Sequence, residues 1–313
     1  MELLRFEWGA ENITTFQNFK TIFLSILLEA FPFILLGVVV SSLLSVFVSE
    51  KMIARLIPKN PVLGVIVGCF LGLIFPLCEC GMIPIVRRLM LKGMPLYIGI
   101  VYILSGPIIN PIVFASTYMA FRNQPEIAYS RMVLAFTTAF IIGLIIYKFI
   151  KSNPLKAAQS SNVHEHFHGH QHHQQNFASK FVSVLAHASE EFFEMGKYLI
   201  FGAFITAVIQ VTVSRAELVE IGEGEWSSYL FMMGLGYILS LCSTSDAFIA
   251  SSFATTFSAG SLLSFLVFGP MLDLKNTLMM LSIFKTRFII VLSLLIFIIV
   301  LFSSILIQNL YFA

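Results

Sequence analysis

Residues 75–84 read Phe75-Pro76-Leu77-Cys78-Glu79-Cys80-Gly81-Met82-Ile83-Pro84. A carboxylate stands between two thiols, and a proline lies on either side. Pro76 and Pro84 cannot continue a helical hydrogen-bond ladder, and Gly81 loosens it between them. The flanking sequence is apolar. A break in such surroundings frees amides and carbonyls that must find partners, which they do where a cavity or ligand lies.

The break has a counterpart. Glu29, Gly37, Cys78, Gly106-Pro107 and Asn110 follow one another at intervals of 8, 41, 28 and 4 residues. Glu194, Gly202, Cys242, Gly269-Pro270 and Asp273 follow at 8, 40, 27 and 4. Two halves in matching register, each with a carboxylate, a thiol and an interrupted apolar segment, read as an internal duplication of the kind transporters use.

Composition sets the solvent. The chain is 58% hydrophobic and 12% charged, about half the charge of an ordinary soluble domain. Apolar runs long enough for a bilayer of about 30 Å recur near 20–48, 61–77, 95–121, 131–150, 190–213, 227–241, 260–281 and 286–311. Period-2 alternation is absent, which excludes a membrane β-barrel. The expectation is an all-α polytopic membrane protein. Residues 1–19 lack the apolar core of a secretory signal, so the first span is expected to direct insertion itself. Cys69, Cys78, Cys80 and Cys242 all lie in apolar or motif sequence, which argues against a disulfide framework. A net charge of +2 gives no sign of nucleic-acid binding.

Residues 152–180 are polar and low in complexity and read as a disordered linker between a first repeat, 1–151, and a second, 181–313. Basic residues gather at Lys51–Lys59, at Arg87, Arg88 and Lys92, at 148–156, and at Lys275, Lys285 and Arg287. Basic loops prefer the cytoplasm. All four clusters fall there if 79–92 turns back into the membrane as a short or half-crossing helix. The acidic 214–226 loop then lies outside. Each half makes five crossings, and an odd number inverts the second half relative to the first. The expectation is two inverted repeats of about five transmembrane or half-crossing segments, eight to ten in all, with 79–92 and 243–258 the short ones. Eight full spans in two parallel repeats are the alternative, which leaves a basic loop outside.

Several residues could carry chemistry. Cys78, Glu79 and Cys80 form a compact soft-ligand group, since thiolates select Cu(I), Zn(II) or trivalent arsenic; buried cysteine can also be plain core. Leu241-Cys242-Ser243-Thr244-Ser245-Asp246 is the matching element. Its hydroxyls suit helix capping, and Asp246 is either a dipole-favouring helix-start carboxylate or a functional one. If they converge at the repeat interface, Cys78, Cys80, Cys242 and Asp246 make a mixed metal site. Ser243 and Ser245 add hydroxyls to the substrate-binding set. The Gly-Pro interruptions place Asn110 in the first half, and Asp273 with Asn276 in the second, where a substrate would pass. Lys275 offers Asp273 a simple partner near the membrane boundary. Glu29, inside the first span, and its counterpart Glu194 are candidates for proton coupling, although Lys197 lies one turn from Glu194. His164, His166, His168, His170, His172 and His173 crowd the linker and suit capture of a divalent metal.

On these residues the chain resembles the ArsP/YraQ-like family of bacterial predicted permeases. The resemblance rests on Pro76-Leu77-Cys78-Glu79-Cys80-Gly81, on Ser105-Gly106-Pro107 with Asn110-Pro111, on Cys242 with Asp246-Ala247-Phe248-Ile249-Ala250, and on Gly269-Pro270-Met271 with Asp273, Lys275 and Asn276. It covers most of the chain outside the linker. It implies a multi-pass permease of the bacterial cytoplasmic membrane, some of whose members export trivalent organoarsenicals. Glu79 replaces the small or hydroxyl residue often found between the two cysteines, and the histidine tract is foreign to an arsenical exporter. Both shift the expected cargo toward a divalent metal such as zinc, with trivalent (organo)arsenicals the alternative. The metal is cargo; no permanently bound cofactor is expected. Expected partners are the lipid bilayer, a small inorganic or organometallic substrate, and an accessory soluble or membrane subunit. No nucleotide-binding P-loop is present, so the chain has no ATPase of its own. Rival readings are a membrane thiol–disulfide oxidoreductase using Cys78 and Cys80, and a metal-responsive membrane subunit without flux. C-x-C spacing, rather than C-x-x-C, argues against the oxidoreductase.

Overall fold

The computed structural model describes residues 2–47, 49–58, 60–74, 78–150, 154–155, 177–212 and 224–312. Among the described residues the chain is helical, apart from turns and one isolated antiparallel bridge, Leu155 to Phe284. The first half holds α1 (Glu2–Phe47), α2 (Glu50–Leu56), α3 (Pro61–Ile74), α4 (Glu79–Leu91), α5 (Leu96–Ser105), α6 (Pro111–Ala120) and α7 (Glu126–Phe149). The second holds α8 (Phe177–Thr212), α9 (Glu225–Leu239), α10 (Asp246–Ser252), α11 (Ala259–Met271), α12 (Leu274–Ile283) and α13 (Thr286–Tyr311).

Among the described residues, five stretches are long and apolar enough to cross a membrane: Thr15–Leu44 in α1, all of α7, Ala188–Thr212 in α8, Ala259–Ile283 across α11 and α12, and all of α13. The α11–α12 window is 83% buried, against 22% for α1 and 28% for α13. The broken segment is therefore the centre of the bundle, and the unbroken helices turn apolar faces outward to lipid. The chain is an all-helical integral membrane protein.

Helix boundaries follow local chemistry. Asn110 is extended (φ −146°, ψ 149°), and its Oδ1 accepts from the backbone N–H groups of Ile112 and Val113 at 2.8 and 3.1 Å. With Pro111 in the first turn, this is a well-formed helix start. Asp273 does the same for α12, its Oδ1 accepting from the Asn276 N–H. The two expected interruptions therefore exist, but they differ. In the first half the chain leaves the helix at Gly106; in the second, α11 runs through Gly269 and Pro270 and breaks at Leu272 and Asp273.

Other local expectations need correction. Pro84 lies inside α4 and does not end it. Proline forfeits a single ladder bond, and a helix held by neighbours tolerates that loss. The hydroxyls before α10 do not cap it: Ser245 is the cap residue but makes no side-chain cap bond, and the Cys242 carbonyl accepts from the N–H groups of Ser245 and Asp246 instead. Residues 177–180 belong to α8, and half-buried Leu155 packs on the core beside Phe284. Pro76 and the six linker histidines lie outside the described residues.

Close backbone approach shapes the packing. α1 packs on both α4 and α8. At the α1–α4 crossing, a Cβ on Gly37 would lie 2.3 Å from the Gly81 carbonyl oxygen, so glycine is required there. α3 meets α5 at a second such point, where a Cβ on Gly72 would fall 2.4 Å from Gly106 Cα. α1 and α8 run antiparallel: Phe19 stacks edge-on to Phe204 while Phe31 does so to Phe192, with centroids 5.5 and 5.4 Å apart. Between the halves, α4 reaches α12 and α6 reaches α10.

Candidate functional site

The site forms where the short helices of the two halves begin. Cys78 stands at the extended start of α4, with Glu79 and Cys80 in its first turn. Glu79 and Cys80 are both buried. From the other half, Lys275 in the first turn of α12 brings its Nζ to 3.4 Å from Glu79 Oε1. The same ammonium lies 3.9 Å from Asp273 Oδ2 and 3.5 Å from the Ser240 carbonyl oxygen. Ser240 ends α9 in a left-handed conformation (φ 48°, ψ 47°), which costs a non-glycine residue about 1–2 kcal/mol. Here the sharp turn delivers a carbonyl to a buried cation.

A second cation works in the opposite sense. Arg131, on α7 of the first half, is fully buried. Its Nη1 donates to Thr117 Oγ1 at 2.7 Å, and its Nη2 donates to Asp246 Oδ2 at 2.7 Å and to the Ser243 carbonyl at 3.2 Å. One guanidinium thus ties α6, α7, the start of α10 and the loop that carries Cys242. A lone charge in such a place would be expensive, and pairing with hydrogen bonds is what makes it tolerable.

Each half therefore opens a short helix with a carboxylate, Glu79 or Asp246, that pairs with a base from the other half. The thiols sit around the first of these pairs. Cys78 and Cys80 stand together at the start of α4, and Lys275 is within electrostatic reach of both. Cys242 lies within electrostatic reach of Glu79 and Glu29, and Thr244 Oγ1 donates to its Sγ at 3.5 Å. All four cysteines are free, and Cys69 is buried away from this cluster at the Ser105 hydroxyl.

The expected residues meet mixed fates. Cys78, Glu79, Cys80, Cys242, Ser243, Asp246, Asp273 and Asn276 share this interior. Ser245 is exposed, outside it. Asn110 spends its carbonyl on capping α6. Among the described residues no three His, Cys, Asp or Glu side chains gather to hold a metal ion. The reason is local, since Asp246 Oδ2 is turned onto Arg131. Glu29 is exposed, halfway along the Thr15–Leu44 stretch. Glu194 pairs with Arg87 at 2.7 Å, while Lys197 stands over the Tyr198 ring.

Arg131 and the burial of Lys275 are what the sequence reading missed. A basic residue at the margin of an apolar run was the only signal in each case, and it resembles an ordinary boundary charge. Asn276 stands out. It is fully buried, its backbone N–H goes to Asp273, and neither side-chain amide atom has a hydrogen-bond partner. Glu79 Oε2 and Asp246 Oδ1 are likewise buried and unpartnered. Buried polar atoms normally are satisfied, so this group is equipped to receive something.

The model of a predicted permease family, ArsP_1, matches residues 15–309. UPF0718 protein YcgR of Bacillus subtilis is 50% identical over 296 residues, covering 95% of this chain and 99% of that protein. A Streptococcus mutans protein, described as a candidate subunit of a two-component membrane permease complex, is 40% identical over 268 residues, covering 86% and 87%. No solved structure matches the chain.

Proposed function

The chain belongs to the ArsP-type predicted permease family, and on that premise we propose that it is a secondary transporter of the bacterial cytoplasmic membrane. It moves a thiophilic species past Cys78, Cys80 and Cys242. The observation that carries this reading is the buried seam between the halves: Glu79 on Lys275 and Asp246 on Arg131, with the Asn276 amide unpartnered beside them. Such a seam is costly to the fold, and intramembrane ionisable residues mark substrate paths.

Alternating access of two inverted repeats accounts for the architecture. The helices correspond in order, α1 with α8, α3 with α9, and α4 through α7 with α10 through α13. Gly236 faces Gly269 across α9 and α11 as Gly72 faces Gly106 across α3 and α5. The antiparallel run of α1 against α8 fits inverted better than parallel repeats. Lys92 Nζ on the Leu44 carbonyl supports the return of α4 toward the end of α1.

The charges bear on the cargo. Three carboxylates (Glu79, Asp246 and Asp273) face two bases (Lys275 and Arg131), leaving one net negative charge. A zinc ion would bring two positive charges into a site that already holds two buried cations. A neutral trivalent arsenical needs soft sulfur and little charge compensation, so thiols beside carboxylates already engaged by Lys275 and Arg131 favour it over zinc, which takes harder ligands too. Family membership also favours transport over thiol–disulfide exchange. The two-component description of the streptococcal relative supports an accessory subunit.

Proteoliposome flux of a trivalent organoarsenical and of zinc, comparing wild type with Cys78→Ser/Cys80→Ser, tests the reading. The expected result is arsenical flux that the double substitution removes. Equal flux of each in both proteins would end the thiol-site hypothesis.

A further inference from the structure

A second polar cluster lies outside the thiol site and joins the same two halves. Arg87 and Arg88 are near the end of α4; Glu191 and Glu194 are three residues apart on α8, on one face of that helix. Arg87 Nη1 meets Glu194 Oε2 at 2.7 Å, and Arg88 Nη2 meets Glu191 Oε2 at 3.7 Å. Ser41 of α1, fully buried, donates to the same Glu191 oxygen at 2.9 Å. Three helices from two halves are thus fastened at one level.

That level is off to one side of the thiol site. Along α4, Cys78 and Cys80 stand at the start of the helix and Arg87 and Arg88 lie seven to ten residues further on, about 10–15 Å away. The cluster lies toward the face where α1 ends and α8 emerges from the linker. On that face α4 is pinned again by Lys92 on the Leu44 carbonyl. Cys78 and Cys242 are half-buried, while Cys80, nearer the cluster along α4, is buried.

We propose that Arg87–Glu194 and Arg88–Glu191, with Ser41, form the gate on the linker face of the permease. This structure has that gate shut and the thiols accessible only from the opposite face. The inference rests on the permease reading above. Opening toward the linker separates α4 from α8 and breaks both pairs. The Arg87–Glu194 pair is partly exposed, at 17% and 35%, while Glu191 is buried. A partly exposed pair is weak enough to open reversibly.

The test uses sealed membrane vesicles of both orientations and a charged, membrane-impermeant methanethiosulfonate, with labelling read at each cysteine by peptide mass spectrometry. Wild type is expected to label at Cys78 and Cys242 from the face opposite the linker, and little from the linker face. Arg87→Gln and Glu194→Gln each raise linker-face labelling of Cys80 about tenfold, a shift that loss of one inter-half pair can produce. The charge exchange Arg87→Glu/Glu194→Arg restores protection. A disulfide across Arg87→Cys/Glu194→Cys abolishes linker-face labelling until it is reduced. Unchanged linker-face labelling in both single variants overturns the gate, as does an exchange variant that stays as open as they are. Labelling needs no knowledge of the cargo. If it responds while Cys78→Ser/Cys80→Ser leaves flux intact, the gate stands and the thiol site falls; the reverse pattern removes the gate alone.

Discussion

Arg131 Nη2 lies 2.7 Å from Asp246 Oδ2, both side chains are buried, and 115 residues of chain separate them. The pair holds the start of α10 against α7, so it fixes where the loop bearing Cys242 can stand. Removing one partner strands the other in a dry interior. Asp246→Ala and Arg131→Ala are each expected to cost about 3–5 kcal/mol. The double replacement Arg131→Leu/Asp246→Leu leaves no stranded charge and is expected to melt above either single variant. Thermal unfolding in detergent, followed by fluorescence-detected gel filtration, measures the order. Additive losses in the double variant would mean the two charges do not act as a unit. Arg131→Lys should not rescue, because one ammonium cannot serve Thr117, Ser243 and Asp246 with the geometry of a guanidinium.

The α1–α4 crossing makes a sharper steric prediction. A Cβ at Gly37 would sit 2.3 Å from the Gly81 oxygen, and backbone on both sides leaves nothing to rotate away. Gly37→Ala is expected to destabilise by at least about 1–3 kcal/mol, the usual cost of overpacking. Gly234→Ala is the control: nothing lies within 4 Å of its Cβ position, and alanine favours a helix over glycine by up to about 1 kcal/mol. The same melting assay should separate the two in opposite directions. Equal melting temperatures would mean the helices can move apart freely at that crossing.

Sidedness gives a third test. Cysteines placed as Leu91→Cys and Glu165→Cys should react with an impermeant thiol reagent from one face, and Trp226→Cys from the other. The reasoning is that α4 ends beside the α1 end, through Lys92 on Leu44, and that α8 rises from the linker beside Arg87 and Arg88. Reaction of positions 91 and 165 from opposite faces would defeat the arrangement of five crossings per half.

What the sequence made legible was local. The interruptions at Gly106-Pro107 and Gly269-Pro270 were legible, and a helix restarts after each; that Asn110 and Asp273 cap those restarts emerged only from the structure. The short helix from Glu79 was legible from the placement of Arg87, Arg88 and Lys92. What was not legible was partnership. Glu79 and Lys275 are 196 residues apart, and nothing in either neighbourhood names the other. Lys275 read as a boundary lysine beside Asp273; it is in fact buried against a carboxylate from the other half. Arg131 sits at the first residue of an apolar run, where an arginine would ordinarily reach for the interface, yet it points inward to Asp246. Pro84 and Gly269-Pro270 misled in the other direction, since surrounding helices hold a proline-containing turn together where an isolated one would yield.

Glu79 and Lys275 supply a coupling test. Lys275→Met leaves Glu79 and Asp273 without their shared cation, and Glu79→Gln removes one of its two carboxylate neighbours. The double variant is expected to be more stable than Lys275→Met alone, with an interaction energy of about 0.5–3 kcal/mol, within the range for residues in one charged network. A double-mutant cycle on detergent melting measures it. A cycle that closes to zero would mean that the 3.4 Å approach contributes nothing to holding α4 against α12.

Asn276 separates binding from folding. Its amide is fully buried with neither side-chain atom hydrogen-bonded, so the fold gains nothing from the group and carries the cost of its desolvation. Asn276→Leu, close in shape and apolar, is therefore expected to leave melting unchanged or raise it by up to about 1–2 kcal/mol. Flux should nevertheless fall at least about tenfold, because the amide that would meet the cargo is gone. Asn110→Leu makes the opposite pattern: it removes the cap of α6 and should cost about 1 kcal/mol in stability. If Asn276→Leu lowers stability and flux together, the amide is a structural brace and the seam between Lys275 and Glu79 is not where the cargo passes.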